Sequence, residues 1–129
     1  MLHFNKSVWC LVMGKINSYQ KGARYERQIR DSSKENGYDE AYRSNQFQGN
    51  HKQGSPDVSE TPYLHVECKH VERLNIHNAM DQAIEDAELQ GEGEIPVVFH
   101  TKNHKKNLVT MEQSDWFKLY NAYVRERGD

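Results

Sequence analysis

The amino-acid sequence predicts an α/β domain in which helices lie on the faces of a mixed sheet. Apolar residues recur at helical spacing in three segments, and five other segments have the alternating or continuous apolar character of strands. In chain order these segments read helix, three strands, helix, two strands, helix, which is typical of a sheet with helices on its faces. With 129 residues the chain is long enough for one compact domain and too short for two ordinary ones.

A single core is expected over residues 15–129. Residues 1–14 match nothing that follows in pattern, so this segment is predicted to be an appendage that the core does not need. The longest apolar run, residues 8–13, is far shorter than the ~18 residues that a membrane span requires, so no membrane partner is expected. Two cysteines make no disulfide framework, and a cytoplasmic, reducing location is predicted.

The first helix is predicted over residues 18–36, which contain no proline. Ser18 is the expected N-cap, and Gly37 stands where a left-handed C-terminal cap is favoured. Glu26 shares a helical stripe with small and apolar residues, which is an unusual place for a carboxylate. The simplest alternative is a glutamate at the edge of the stripe that pairs with Arg30, four residues further on.

Three strands are predicted between the first two helices. Residues 38–44 form the first candidate, and a loop rich in Gly, Asn and Gln follows over residues 45–55. Asp57 and Val58 open a short second strand, and a turn leads into the third strand over residues 63–69. If these last two strands form a hairpin, their backbones lie ~5 Å apart.

The third predicted strand alternates between two kinds of residue. One face carries Leu64, Val66 and Cys68, and the other carries His65, Glu67 and Lys69. The first face is expected to join the core. Pairing of the hairpin would bring Asp57 near Glu67 and Lys69 on the second face.

The second half of the chain is predicted to contain two further helices and two further strands. Asn75 is expected to cap a helix that runs to about residue 89, and strands follow at residues 95–101 and 108–111. Ser114 is expected to cap the last helix. Its apolar residues are Trp116, Phe117, Leu119, Tyr120 and Tyr123.

Asp57 and Glu67 form the centre of a predicted metal site. Two carboxylates in a partly buried place repel each other, and a bound cation relieves the repulsion. Oxygen ligands beside a lysine favour Mg²⁺, with Mn²⁺ as a substitute, over zinc. The backbone carbonyl of Cys68 could add a third oxygen, and Glu26 could complete the site through a water. Lys69 could orient a water or neutralise charge on a phosphate.

Each member of this set also has an ordinary structural interpretation. An acid after proline often starts a turn, and alternating charges on a strand are common on exposed surfaces. The combination inside an apolar, alternating strand is much rarer by chance than any member alone. We therefore favour the chemical interpretation.

Charge is distributed unevenly although the net charge is only -2. Residues 81–94 hold six acids and no lysine or arginine, whereas residues 100–106 hold three lysines, two histidines and no acid. The weak net charge argues against nucleic-acid binding by bulk electrostatics, but a local basic face permits contacts to a DNA backbone. The alternative is a set of solubilising lysines. The candidates for DNA contacts are Lys52, Arg73, Lys102, Lys105 and Lys106.

The histidines offer no pair at a spacing diagnostic of zinc. His65 and His70 flank the proposed catalytic strand, and His51, His100 and His104 lie in predicted loops. We interpret all five as surface or phosphate-contacting groups.

Four segments carry a resemblance to a known superfamily. The motif "SPDV" followed by "HVECK" resembles the PD-(D/E)XK nucleases, and "KGARYERQI" resembles the first-helix motif of archaeal-type and phage-encoded Holliday junction resolvases. The runs "VERLNIHNAMDQAIEDA" and "IPVVFHTKNHKKNLVTM" are similar to small phage and prophage resolvase-like endonucleases. Together they cover about residues 21–119. The loop at residues 45–55 departs from the archaeal pattern, so the choice of DNA structure stays open.

This resemblance implies a restriction-endonuclease-like core, with a mixed five-stranded sheet flanked by helices. By matching position, Glu26, Asp57 and Glu67 become metal-site residues and Lys69 becomes the catalytic lysine. Gln82 matches a glutamine that members keep near the lysine or the nucleophile, so it joins the predicted catalytic set. The alternative for Gln82 is a solvent-facing helix residue.

The predicted function is a metal-dependent, structure-selective DNA endonuclease that hydrolyses phosphodiester bonds in branched DNA as a Holliday junction resolvase. Symmetric cleavage of a four-way junction needs two active sites, so a homodimer is expected, with the last helix in its interface. Its setting would be the cytoplasm of a bacterial or phage-infected cell. One alternative is a general repair or restriction-like nuclease on branched or duplex DNA. Another is a non-catalytic module that binds nucleic acid.

Overall fold

A computed structural model describes residues 6–44 and 54–128 of the chain, and residues 6–17 by their backbone alone. The described residues form three helices and five strands. The helices are α1 (Lys6–Glu35), α2 (Ile76–Gln90) and α3 (Gln113–Glu126). The strands are β1 (Tyr42–Arg43), β2 (Val58–Ser59), β3 (Leu64–His70), β4 (Ile95–Thr101) and β5 (Leu108–Met111). This order of elements is the predicted one.

The strands form one mixed sheet in the order β1-β2-β3-β4-β5. β1 and β2 are antiparallel, as are β2 and β3, whereas β3 and β4 are parallel and are joined through α2. β5 is antiparallel to β4 and forms one edge of the sheet. The predicted α/β fold, a mixed five-stranded sheet with helices, is confirmed and is consistent with a restriction-endonuclease-like core.

The core lies on both faces of the sheet. The buried cluster that includes α1 consists of Tyr25, Ile29, Ala41, Val58, Val66, Cys68 and Val97. The cluster beneath α2 consists of Ala79, Met80, Ala83 and Val98. As predicted, alternate residues of β3 enter the first cluster, because successive side chains of a strand point to opposite faces.

Helix α1 begins earlier than predicted. It starts at Lys6, so the assignment of Ser18 as an N-cap is wrong. Residues 6–17 contain no proline, and a helix that has formed downstream therefore extends through them without losing a hydrogen bond. Their backbone is continuous with α1, and their dispensability for the core stays a prediction. Although α1 has 30 residues, no described helix combines the length and apolar character that a membrane crossing requires.

The C-terminal end of α1 agrees with the prediction to within a residue. Gly37 has φ of 102°, and its N–H donates to the carbonyl of Lys34 at 3.0 Å. The N–H of Tyr38 donates to the carbonyl of Ser33 at 3.0 Å, which completes a glycine-terminated helix cap. β1 is shorter than the predicted residues 38–44, because a turn links the N–H of Ala41 to the carbonyl of Tyr38 at 3.1 Å.

The ends of α2 are as predicted, whereas the start of α3 is not. Asn75 caps α2 by accepting from the N–H of Asn78 at 3.0 Å, and Gly91 ends the helix in a left-handed conformation. The N-cap of α3 is Glu112, without a side-chain capping bond, so the assignment of Ser114 is wrong. The first turn of α3 closes with the N–H of Trp116 on the carbonyl of Glu112 at 3.0 Å, which places Ser114 inside the helix.

The apolar residues of α3 lie outside the core. The five apolar residues that were predicted for this helix are each 43–60% exposed, and the aromatic rings of Trp116 and Tyr120 stack on each other at 5.0 Å. We call this set the α3 surface: Trp116, Phe117, Leu119, Tyr120 and Tyr123. Leu108 and Val109 on the edge strand β5 are also exposed. Such a concentration of exposed apolar groups is unusual for a surface that faces only water.

Candidate active site

Main-chain hydrogen bonds hold Asp57 against β3. The N–H of Asp57 donates to the carbonyl of Val66 at 2.8 Å, and the N–H of Cys68 donates to Oδ2 of Asp57 at 2.8 Å. Val58, the next residue, pairs with Val66 across the hairpin. The Asp57 carboxylate is thereby fixed beside Glu67, which is the approach that the hairpin predicted.

The partly buried carboxyl group of Asp57 and the buried carboxyl group of Glu67 lie close enough to influence each other electrostatically. Burial and, after it, the negative charge of Glu67 raise the pKa of Asp57 to about 7. Burial also raises the pKa of Glu67 to about 7. The ammonium group of Lys69 acts in the opposite direction on both pKa values, which places it close to the pair. At neutral pH such a pair shares protons unless a cation replaces them.

Glu26 reaches the same region from α1. Its Oε1 lies 3.3 Å from Nε of Arg43, a residue of β1, so the alternative pairing with Arg30 is not the one observed. Arg30 instead contacts Asp31 at 2.9 Å. Burial raises the pKa of Glu26, the nearby charge of Asp57 raises it further, and Arg43 opposes both. Three carboxyl groups, from α1, the start of β2 and β3, therefore act on one another electrostatically.

His65 is fully buried, so its interpretation as a surface or phosphate-contacting group is wrong. It lies on central strand β3, on the face that α2 covers, and its Nε2 is 3.0 Å from Oε1 of Glu67. Burial lowers the pKa of His65, which favours the neutral imidazole. The two-residue alternation of side chains along β3 had already predicted that His65 and Glu67 lie on the same face of the strand.

Gln82 lies on the exposed side of α2. Its Nε2 donates to Oδ1 of Asp86 at 3.0 Å, so it orients a second acid that sequence reasoning did not single out. Potential ligand atoms of Asp86, His65 and Glu67 lie within 4.8 Å of one another. No spacing in the sequence links a residue on the crossover helix to a strand, so only the fold reveals Asp86. The catalytic role of Gln82 stays a prediction.

Four of the five predicted DNA-contacting residues line one cleft. Arg73, Lys102, Lys105 and Lys106 surround an opening of about 580 Å³ between the ends of β3 and β4. We call this the basic cleft. Lys52 lies outside the described residues, as does His51. Lys69 is two residues before Val71 of the cleft lining, so the cleft follows directly after β3, the strand that carries Glu67 and Lys69.

The donor set fits a divalent cation with oxygen ligands. Asp57 and Glu67 provide two carboxylates whose mutual repulsion a cation would relieve, and Glu26 lies close enough to influence both. The thiol of Cys68 packs in the core on the α1 side, so only its backbone faces Asp57. The carbonyl of Cys68 as a ligand stays a prediction.

The fold and this constellation define the PD-(D/E)XK class of nucleases: an acid before one strand, a glutamate and a lysine on the next, and an acid on the first helix. A family model described as "Phage putative PDDEXK endonuclease" matches residues 17–127, which is most of the chain. The chain belongs to this family. Nucleases of this class are in general dependent on divalent metal ions. No curated protein and no solved structure matched the chain.

Proposed function

We propose that this chain is a Mg²⁺-dependent DNA endonuclease, with Mn²⁺ as a substitute, that resolves four-way DNA junctions. The observation that carries the nuclease chemistry is the close pair of partly buried Asp57 and buried Glu67, with Lys69 near it and raised carboxyl pKa values. A pair that resists double ionisation has a high affinity for a cation, because the cation supplies the charge that protons otherwise supply.

Within this proposal each residue has a distinct task. Asp57 and Glu67 hold the cation with the carbonyl of Cys68, and Glu26 contributes through a water. When bound, Mg²⁺ polarises a phosphate oxygen and makes a water easier to deprotonate. Lys69 orients the attacking water and compensates the charge that develops on the phosphate. Arg43 keeps the Glu26 carboxyl in place through the 3.3 Å contact.

The basic cleft supports DNA as the substrate. Its lysines and arginine lie beyond the ends of β3 and β4, and β3 carries Glu67 and Lys69, so DNA bound in the cleft would lie at the end of the strand that holds the catalytic residues. Contacts of this kind position a duplex without reading its sequence. A pure DNA-binding module gains nothing from carboxylates that face a phosphate, so the site favours an enzyme.

The preference for junctions rests on the resolvase-like motif of residues 21–29 and on the α3 surface. Junction resolution needs two active sites, and exposed apolar groups on α3 offer an interface through which two copies associate. The expected location of such an enzyme is the cytoplasm of a bacterial or phage-infected cell.

A cleavage assay with three labelled DNAs tests this proposal. The four-way junction, a nicked duplex and a linear duplex are each incubated with Mg²⁺, Mn²⁺ or EDTA. We expect paired, symmetric nicks on the junction with either metal and none in EDTA. If linear duplex were cleaved as fast as the junction, the chain would be a general repair or restriction-like nuclease instead. If no DNA were cleaved with either metal, the proposal that the chain is an enzyme would be refuted.

Matched variants connect the activity to the site. Asp57→Asn and Lys69→Ala should each lower the cleavage rate at least ~100-fold while junction binding is retained, because charge stabilisation of the transition state is lost. The controls are Asp39→Asn and Lys34→Ala, both at exposed positions. Wild-type cleavage by Asp57→Asn would show that the site is misassigned.

A further inference from the structure

A second group of potential ligands lies beneath α2. It consists of His65 and Glu67 on β3 and Asp86 on α2, with ligand atoms within 4.8 Å of one another. Asp57 is not part of this set, and the mechanism proposed above uses neither His65 nor Asp86. Glu67 is common to both groups.

The imidazole of His65 has a polar atom whose burial is not compensated. The side chain is fully buried, and Nδ1 has no hydrogen-bond partner within the described part of the chain. Nδ1 is not the nitrogen next to Glu67, so the nitrogen that this group offers to a ligand is Nε2. Nε2, the other ring nitrogen, points at Glu67 at 3.0 Å.

The second group also brings two acids together. Potential ligand atoms of Asp86 and Glu67 lie within 4.8 Å of each other, so the two carboxylates repel when both are ionised. Gln82 donates one hydrogen bond to Asp86, which fixes the orientation of the carboxylate without neutralising it. A cation between the two carboxylates would relieve this repulsion.

We propose that His65, Glu67 and Asp86 form a second cation site, which shares Glu67 with the proposed nuclease site and takes a transition-metal ion such as Mn²⁺ or Co²⁺. A nitrogen ligand disfavours Mg²⁺ and suits first-row transition metals. Two ligands about 2.1 Å from one ion lie roughly 3 Å apart, which is the observed spacing of Nε2 and Oε1. Asp86 is partly exposed, and its ligand atom lies within 4.8 Å of the other two.

Because Glu67 belongs to both groups, the second site would also affect metal binding at the proposed nuclease site. This consequence rests on the proposed function, whereas the second site itself does not. Mn²⁺ would occupy both sites, whereas Mg²⁺ would occupy the oxygen-only site. A two-ion state would therefore form with Mn²⁺ alone, and its ions would be bridged by one carboxylate.

Electron paramagnetic resonance of Mn²⁺ on the full chain tests the site directly. Titration of the metal-free protein should give two bound Mn²⁺ ions per chain in the wild type and one in Asp86→Asn. The matched control is Asp81→Asn, an exposed acid on the same helix, which should keep two. Asp57→Asn should lose the other ion and keep the one at His65.

The nitrogen ligand has its own spectroscopic signature. Pulsed measurements on Mn²⁺ bound to Asp57→Asn should show coupling to an imidazole ¹⁴N, which His65→Asn abolishes in the otherwise unchanged chain. If His65→Asn does not fold, the number of Mn²⁺ ions bound by Asp86→Asn and the ¹⁴N coupling in Asp57→Asn still test the second site. The second site would be refuted if Asp57→Asn showed no ¹⁴N coupling or if the coupling persisted when His65 was also changed to Asn. Two bound ions in Asp86→Asn would refute it as well. Junction cleavage is scored separately, so failure of the nuclease proposal leaves this result intact.

Discussion

The Asp57 carboxyl makes the stability of the metal-free protein depend on pH. Burial raises the pKa of Asp57 to about 7, well above its ordinary value. Between roughly pH 4 and 7 the folded chain therefore keeps a proton that the unfolded chain releases. The associated stability is complete at low pH and is lost as the pH rises through about 7.

Asp57→Asn removes this loss, because an amide keeps the hydrogen bond to the N–H of Cys68 without the charge. In EDTA we expect the variant to gain stability over the wild type as the pH rises from 5 to 8, by about 1–3 kcal/mol. Urea denaturation at several pH values measures this difference. Asp39→Asn, at an exposed position, should show a difference that does not vary with pH. A difference for Asp57→Asn that shrinks as the pH rises would contradict the raised pKa.

The sequence could reveal some members of the site and not others. Asp57, Glu67 and Lys69 could be predicted because a two-residue strand period and a hairpin are local properties of the chain. Asp86 could not, since its approach to Glu67 depends on how the crossover helix lies on the sheet. The burial of His65 likewise depends on α2, which covers a strand face that the sequence alone left open.

The contact between the chain before β2 and α2 depends on Gly54. Its φ is 82°, and a Cβ there would lie 3.1 Å from the carbonyl oxygen of Asp86 and 3.1 Å from Cβ of Leu89. Gly54→Ala should therefore destabilise the protein by about 1–2 kcal/mol, measured by urea denaturation. Gly22→Ala is the control, because its helical position has open space around it, and we expect a gain of about 0.5–1 kcal/mol. Equal stability of Gly54→Ala and the wild type would show that this contact does not form.

Helix ends show how far local signals determine an element. Asn75 and Gly37 could be predicted because the Asn75 side chain and the left-handed backbone of Gly37 satisfy the helix ends directly. Ser18 and Ser114 carry the same kind of signal, yet α1 and α3 continue past them in the N-terminal direction. A capping residue permits a helix to start and does not force it, since the upstream residues also accept helical geometry.

The basic cleft predicts how DNA binding responds to salt. Each lysine that neutralises a phosphate releases a counterion, so affinity falls linearly with salt on logarithmic axes. Replacing Lys105 and Lys106 by alanine should weaken junction binding and reduce the salt slope by about 2, measured by fluorescence anisotropy. Lys34→Ala removes an exposed lysine of α1 and should leave the slope unchanged. An unchanged slope in the double variant would place the DNA elsewhere.

The α3 surface predicts the assembly state. The five residues of the α3 surface, together with exposed Leu108 and Val109, present more apolar area than isolated surface residues do. A two-fold dimer would bury the same residues from both copies, and a charge in this interface would have no partner. We therefore expect the wild type to have the mass of two chains by light scattering, and Tyr123→Glu that of one.

The same variant separates assembly from chemistry. Tyr19→Glu changes another highly exposed tyrosine, on α1, and should remain dimeric. Monomeric Tyr123→Glu keeps Asp57, Glu67 and Lys69, so it should still nick one strand of a junction but lose the paired, simultaneous cleavage that two sites in one complex permit. A monomeric wild type, or a dimer that survives Tyr123→Glu, would remove α3 from the interface. Paired cleavage by a monomer would separate junction resolution from dimerisation altogether.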